Sequence, residues 1–453
     1  MGKNYDFDYI IIGSGIAGRT IAEKLAPSKK SIAIVEAANF GGSEINTRDL
    51  PYQLNLDFAN TYHKFTNSPA VNSASCHFNF PTLITKEQEF IASIRNQLVD
   101  KFQNLDIRIL EGFASFSDSH TIIVNSKEYT AKNFIIATGS ELKATEITGL
   151  ETVSYSTPDT VFNLRRLPKF VFVVGGGPTG VQIAEYFAML GVGVIIMERG
   201  SQLLPREDEE TSKIISSYLQ DKLGVTVVTG AKVTAITEDH SSKIVVFTSG
   251  AGEKMVRVDS IVLATGTTPS LDFGLENTGI KYKKSGITVD KYFTTSSKNI
   301  FAIGDCTGDE DSSSERAYQQ ASVLANNLLH RQKLTATYTG RIRKIGTHPA
   351  VAVTGLNERD ILSRDLKCRR AIVYLNELLK TPDAEYGFVK LITDTSHHLI
   401  GATVVAPEAT SIINELSSVI ARHLTVESLA TAPHAIDTPA AAITIAAKKL
   451  LIK

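Results

Sequence analysis

Two stretches of this 453-residue chain follow the same order: apolar strand, glycine turn, helix, second strand, acid. The first is DYIIIGSGIAG, a helical pattern through Ala26, then SIAIVE ending at Glu36. The second is KFVFVVGGGPTG, then VQIAEYFAMLG and VGVIIME ending at Glu198. In each, the acid lies 23 residues after the first glycine. Gly13 and Gly175 permit the tight turn, and Gly15 and Gly177 let backbone approach a diphosphate. Gly18 and Gly180 let the helix pack on the strand. The helix N-terminus then offers N–H groups to phosphate, and Glu36 and Glu198 are placed to bond a ribose hydroxyl. A glycine turn without a ligand would need neither the flanking strands nor the acid. The repeat therefore predicts two dinucleotide-binding units, about 160 residues apart. Glu198 favours the free 2′-hydroxyl of NADH; Arg199 and Arg206 follow closely and would suit the 2′-phosphate of NADPH instead.

At about 100–200 residues per domain the chain has room for two to four domains. Hydrophobic residues are 43% and charged residues 21%, the balance of a soluble globular protein. A net charge of −1 gives no global field toward nucleic acid or membrane. The opening MGKNYDFDYIIIGSG has only a short apolar run and reads as neither a signal peptide nor a membrane span. Cys76, Cys306 and Cys368 are far apart and show no metal-type spacing. No disulfide framework and no metal site are expected, and a reducing, cytoplasmic location is. Two more strands end in small turns, FIIATG at Gly139 and IVLATG at Gly266. A third, NIFAIGD, ends at Asp305, an acid suited to a sugar hydroxyl or to capping a turn. From about residue 341 the character changes. GFVKLITD and HLIGATVVA read as paired strands joined by TSHH, and helical stretches follow at 408–422 and 438–450.

The order GSGIAG, GGSEINTRDLP, ATG, GGGPTG, ATG, IGD, THPAVAVTGLNE resembles the flavoprotein disulfide reductases, the family of dihydrolipoamide dehydrogenase, glutathione reductase and mercuric reductase. The resemblance covers nearly the whole chain. It implies an α/β fold with two Rossmann-like dinucleotide-binding domains, for FAD and NAD(P), plus a C-terminal α+β dimerisation domain. The expected segments are 1–150 and 271–340 for the FAD domain, 151–270 for the NAD(P) domain and 341–453 for dimerisation. By the resemblance, Gly13, Gly15, Gly18 and Glu36 bind the ADP half of FAD and Asp305 its ribitol side. Gly175, Gly177, Gly180 and Glu198 bind the pyridine nucleotide. Gly42, Gln53, Thr138, Gly139, Gln182, Gly266 and Ala317 are further expected cofactor-binding positions. Each active site of such an enzyme draws on both subunits, so a homodimer is implied.

The sequence departs from that family where its chemistry is done. The places of the redox cysteine pair hold Glu44 and Asp49, and carboxylates are not two-electron redox groups. The Lys that follows the second cysteine is missing from Asp49-Leu-Pro-Tyr52-Gln53, and its Glu partner is Gln182. An ion pair thus becomes a neutral Gln53–Gln182 pair, which avoids leaving one charge buried alone. Ile436 and Ala441 replace the C-terminal acid/base His and its Glu; Ile cannot move a proton. Glu44 and Asp49 are candidate catalytic groups, one carboxyl kept protonated by burial or mutual repulsion. Equally, they suit helix N-termini, with Glu44 paired to Arg48 four residues on. His434 with Asp437 is a candidate replacement acid/base pair, or simply marks a helix entry. The expectation is an NAD(P)H dehydrogenase of diaphorase or quinone-reductase type that hands electrons to a small-molecule acceptor. The alternatives are a non-catalytic, flavin-binding NADH sensor and a peroxide-forming NADH oxidase.

Overall fold

The chain, seen as a computed structural model, is described over residues 4–72, 76–240, 242–308 and 313–452. It divides into two compact units. One is formed by Met1–Tyr52, Asn79–Ala144 and Gly266–Tyr338; the other by Gln53–Phe78, Thr145–Thr265 and Thr339–Lys453.

In the first unit the apolar run becomes the strand Phe7–Ile12, parallel to Ile32–Glu36 on one side and Lys127–Ile136 on the other. Ile107–Glu111 and Ile300–Ala302 extend the parallel sheet outward. The other end of Lys127–Ile136 turns into an antiparallel meander with Thr121–Val124 and Ala114–Asp118. Ile10, Ile11, Ile34 and Ile135 are wholly buried, as strands covered on both faces require. On one face lie the helices Ile16–Leu25 and Ser314–His330, through Ala17, Ile21, Leu25, Ala321 and Leu324. The other face closes over Phe116 and Phe134, whose rings meet edge to face at 5.0 Å.

The second unit repeats the device. Phe170–Val174 lies between Gly193–Met197 and Ser260–Leu263, with Thr226–Val228 outermost, all parallel. Lys232–Asp239, Ser242–Ser249 and Gly252–Val258 form an antiparallel meander. The region after residue 341 builds a five-stranded antiparallel sheet in the order Ile342–Ile345, Ala350–Gly355, Leu399–Ala406, Phe388–Thr393, Arg369–Tyr374. The expected hairpin over TSHH is present. Asp394 accepts the N–H groups of Ser396 and His398, and His397 takes a left-handed φ of 66°. The helices Ala409–Ala421 and Ala441–Leu451 bury Ile413, Leu416, Ile443 and Ala446 against this sheet. Among the described residues no helix is long and apolar enough to cross a membrane.

Both fingerprints rest on the same close approach. A Cβ on Gly18 would run into the carbonyl oxygen of Gly13, and one on Gly180 into that of Gly175. By contrast, a Cβ on Gly177 meets nothing within 4 Å. Gly180→Ala is therefore expected to destabilise the protein by about 1–3 kcal/mol by overpacking, read in a thermal melt. Gly177→Ala should leave the ligand-free melt within about 0.5 kcal/mol while weakening nucleotide binding, because its methyl enters the open cradle.

Candidate functional site

Each glycine turn ends in a helix N-terminus facing open space. Gly15 (φ −64°, ψ −176°) precedes Ile16–Leu25, and Gly177 (φ −73°, ψ 179°) precedes Pro178–Met189. A Cβ on either glycine would meet nothing within 4 Å, so the backbone there is free to approach a diphosphate. The acids are held alike. Glu36 accepts Ser14 N–H at 3.0 Å and Ser14 Oγ–H at 2.5 Å through Oε2, and Ala38 N–H at 2.9 Å through Oε1. Glu198 accepts Gly176 N–H at 2.8 Å through Oε2 and Gly200 N–H at 2.7 Å through Oε1. Each carboxylate is thus fixed at its strand end with lone pairs left for a ribose. Arg199 is exposed and makes no hydrogen bond or ion pair among the described residues.

The first unit gathers further expected residues. Gly42 has φ 67° and lies so close over the turn that a Cβ would strike Gly15 Cα. Asp305 accepts from Ser140 Oγ at 3.1 Å, next to the left-handed turn at Gly139. Thr138 Oγ1 donates to the Ser270 carbonyl at 3.0 Å. Lys143 N–H donates to the carbonyl of Gly266, and Ala317 with Ala17 flanks Gly304.

Glu44 and Asp49 open two short-spaced helices, Gly42–Asn46 and Asp49–Thr66, as expected of acids at N-termini. Their surroundings differ. Glu44 Oε2 meets Arg19 Nη2 at 2.5 Å, and Arg19 Nε donates to the Ser14 carbonyl at 3.2 Å. Arg19 is buried, so the two form a partly buried ion pair. Asp49 is exposed and accepts Ser314 Oγ–H at 2.5 Å. Three other expectations shift. Gln53 and Gln182 share no hydrogen bond: Gln53 points outward while its neighbours Tyr52 and Asn55 are buried, and the Gln182 amide lies beside Gly346. His434 does not pair with Asp437, which is exposed. Its Nδ1 meets Thr444 Oγ1 at 2.7 Å and its Nε2 meets Glu415 Oε2 at 3.0 Å. Ile436 is 88% exposed. Cys306 is buried, and burial pushes its thiol up to about 12, so it is inert as a nucleophile.

Two buried charged side chains escaped the reading of the sequence. Glu185 sits on the helix Pro178–Met189 between Val181 and Met189, all three buried. Its Oε1 accepts His348 N–H at 2.7 Å and lies 3.8 Å from His348 Nδ1, while Oε2 has no partner among the described residues. Burial holds its pKa well above the usual 4.5, against the lowering effect of the His348 hydrogen bond. Lys390, centred in the apolar strand Phe388–Thr393, is wholly buried among Asp208, Glu210 and Glu358. Those three carboxylates are close enough to hold a metal, but the ammonium fills the space. A charged residue inside an otherwise apolar period was the visible signal for both.

With this geometry in hand, comparison with known proteins places the chain. It belongs to the pyridine nucleotide-disulphide oxidoreductase family: residues 7–325 match that family and residues 343–447 match its dimerisation domain. It is 30% identical over 458 residues to a mercuric reductase of Streptomyces lividans, covering 98% of this chain and 96% of that one. It is likewise 30% identical over 447 residues to a dihydrolipoyl dehydrogenase of Staphylococcus aureus, covering 95% and 94%. In fold it matches the HOCl-induced flavoprotein disulfide reductase RclA of Escherichia coli, with a TM-score of 0.86 at 24% identity over 97% of this chain and 99% of that one. It also matches LpdA of Mycobacterium tuberculosis, with a TM-score of 0.85 at 22% identity over 98% and 99%. The cofactors of this family are FAD and NAD(P)H, and the two open glycine cradles fit two dinucleotides.

Two measurements follow. Glu44→Ala strands the buried Arg19 guanidinium and should destabilise the protein by about 1–3 kcal/mol in denaturant unfolding, whereas Asp49→Ala should stay within about 0.5 kcal/mol. For Glu185, the folded protein keeps a proton that the unfolded chain releases above 4.5. Stability linked to this group is complete below that value and falls as pH rises through the raised folded pKa. Glu185→Gln removes the effect. Its melting temperature relative to wild type should climb from pH 4.5 toward pH 8; parallel curves would show that burial does not hold the proton.

Proposed function

We propose that this protein is an FAD-dependent NAD(P)H dehydrogenase of diaphorase or quinone-reductase type, acting as a homodimer and reducing a small acceptor rather than a disulfide. When bound, FAD would supply the two-electron chemistry linking NADH to the acceptor, the overall change being NADH, a proton and a quinone to NAD⁺ and a quinol. In this reading the turn at Gly13, Gly15 and Gly18 and the N-terminus of Ile16–Leu25 receive the FAD diphosphate. Glu36 orients its ribose, and Gly42, Thr138, Gly139, Asp305 and Ala317 line its path. The turn at Gly175, Gly177 and Gly180, with Glu198, does the same for NADH; Glu198 disfavours a 2′-phosphate by charge. Gly266, Gln53 and Gln182 are read as further cofactor-binding positions. The segments 1–150 with 271–340, 151–270 and 341–453 are the working domains.

The observation that carries the proposal is the Glu44–Arg19 ion pair, standing where the family places a redox thiol, in a chain whose nucleotide cradles are open. A carboxylate locked to a buried guanidinium cannot take up an electron pair, so electrons that reach the flavin must leave it directly. The same pair supports reading Glu44 as an anchor of the helix Gly42–Asn46.

The test is an anaerobic titration of the purified FAD-loaded protein with NADH, following flavin absorbance, then addition of a quinone, of oxygen or of a disulfide. Bleaching by a single equivalent of NADH, with no further electrons absorbed, and rapid return of colour with quinone but not with disulfide, is the expected result. Rapid return with oxygen, unaffected by quinone, would instead identify a peroxide-forming oxidase. A protein that stays yellow with NADH and NADPH alike would be a flavin-bearing binding protein.

A further inference from the structure

The segment 199–208 runs from the end of Gly193–Met197 to the five-stranded sheet, and it is tied at both ends. At its start Gly200 N–H bonds Glu198 Oε1, whose other oxygen holds Gly176 N–H. In its middle Leu203 and Leu204 are buried, Leu204 N–H donates to the Gly176 carbonyl at 2.7 Å, and Leu204 has a left-handed φ of 49°. A branched side chain keeps that backbone only where its surroundings hold it. At the far end the Arg206 carbonyl accepts Asn357 Nδ2–H at 2.8 Å, and Glu207 faces Arg343 at 3.4 Å. Asp208 accepts Glu358 N–H at 3.0 Å through Oδ1 and Lys390 Nζ–H at 2.9 Å through Oδ2. Lys390 also meets Glu210 at 3.0 Å and Glu358 at 2.5 Å. Burial works against its charge, yet the bonds from Glu358 and Asp208 outweigh this and hold the ammonium above its ordinary pKa. The far-end partners Arg343, Asn357, Glu358 and Lys390 lie in the stretch that matches the dimerisation domain.

We propose that the dimerisation domain positions the pyridine-nucleotide site: Lys390, with Asn357 and Arg343, holds the segment 199–208 against the second glycine turn and so keeps Glu198 oriented for the ribose of NADH. The proposal rests on the reading that this turn takes NADH. Without the ammonium, Asp208, Glu210 and Glu358 repel one another and Asp208 is driven from its place. The left-handed turn at Leu204 then relaxes, Gly200 leaves Glu198, and the ribose contact loosens. Lys390 is a positioning residue, acting through Asp208 and the segment that follows Glu198.

The experiment uses the full-length, FAD-loaded protein and its Lys390→Met, Lys390→Arg, Asn357→Ala and Arg343→Gln variants. Kd for NADH is measured by anaerobic calorimetry on protein whose flavin has first been chemically reduced, so that no hydride is transferred, and KM and kcat with a quinone acceptor. In Lys390→Met, Kd and KM for NADH should rise about tenfold, with kcat at saturating NADH moving less than about twofold, the signature of lost uniform binding. Lys390→Arg should recover most of the affinity. A lowered melting temperature with unchanged Kd and KM would overturn the proposal and leave a purely structural ion cluster. If Lys390→Met does not fold, Asn357→Ala and Arg343→Gln carry the test, and unchanged affinity in both overturns it. A wild-type protein that binds no NADH overturns the underlying reading and this proposal together, whereas normal wild-type binding with insensitive variants sinks this proposal alone.

Discussion

Everything else in the nucleotide-binding units depends on one close contact, the approach of a helix to the carbonyl that ends the preceding strand. Gly18 comes against the Gly13 carbonyl and Gly180 against that of Gly175, and no side chain larger than hydrogen fits in either place. The contact starts the helix at the edge of the sheet, so its unpaired N–H groups converge on one point. It also leaves the neighbouring strand to end beside the turn, where Glu36 and Glu198 each bond back to the residue after the first glycine. Cradle and acid are therefore one construction, built twice.

That construction was legible in the sequence because it is local. Strand, turn, helix and acid are written within about two dozen residues, and each rule involves near neighbours. The C-terminal hairpin was legible for the same reason. What could not be read were contacts set by helical phase or by segments far apart. Spacing offers Glu44 the nearby Arg48, but gives no sign of the buried arginine 25 residues earlier that lies against it. Gln53 was matched to Gln182 by homology of position, yet the helix Asp49–Thr66 turns Tyr52 and Asn55 inward and Gln53 outward. His434 finds Glu415 and Thr444 on the two helices beside it, not Asp437 on its own loop. Glu185 and Lys390 left a trace, a charge inside an apolar period, but His348, the partner of Glu185, and Asp208 and Glu210, partners of Lys390, lie more than 150 residues away.

Losing the dithiol machinery did not leave a vacancy in the charge balance. The acid at position 44 stands against a cation that is itself tied to the backbone of the first glycine turn. The helix Gly42–Asn46 is thereby fastened to the first glycine turn. A carboxylate in such a place stabilises the scaffold in a way a thiol cannot, since a thiol is at most a weak hydrogen-bond partner. The first unit thus exchanges a reactive position for a rigid one.

The cysteines that remain carry a consequence for poisons. Trivalent arsenicals and mercuric ions disable dithiol enzymes by gripping two sulfurs at once. Here Cys306 is sealed within the sheet core, and Cys76 and Cys368 are single thiols with no partner sulfur. Oxidants that convert neighbouring thiols to a disulfide find no pair to close. The chain keeps the frame of its family while offering such reagents no pair of neighbouring thiols.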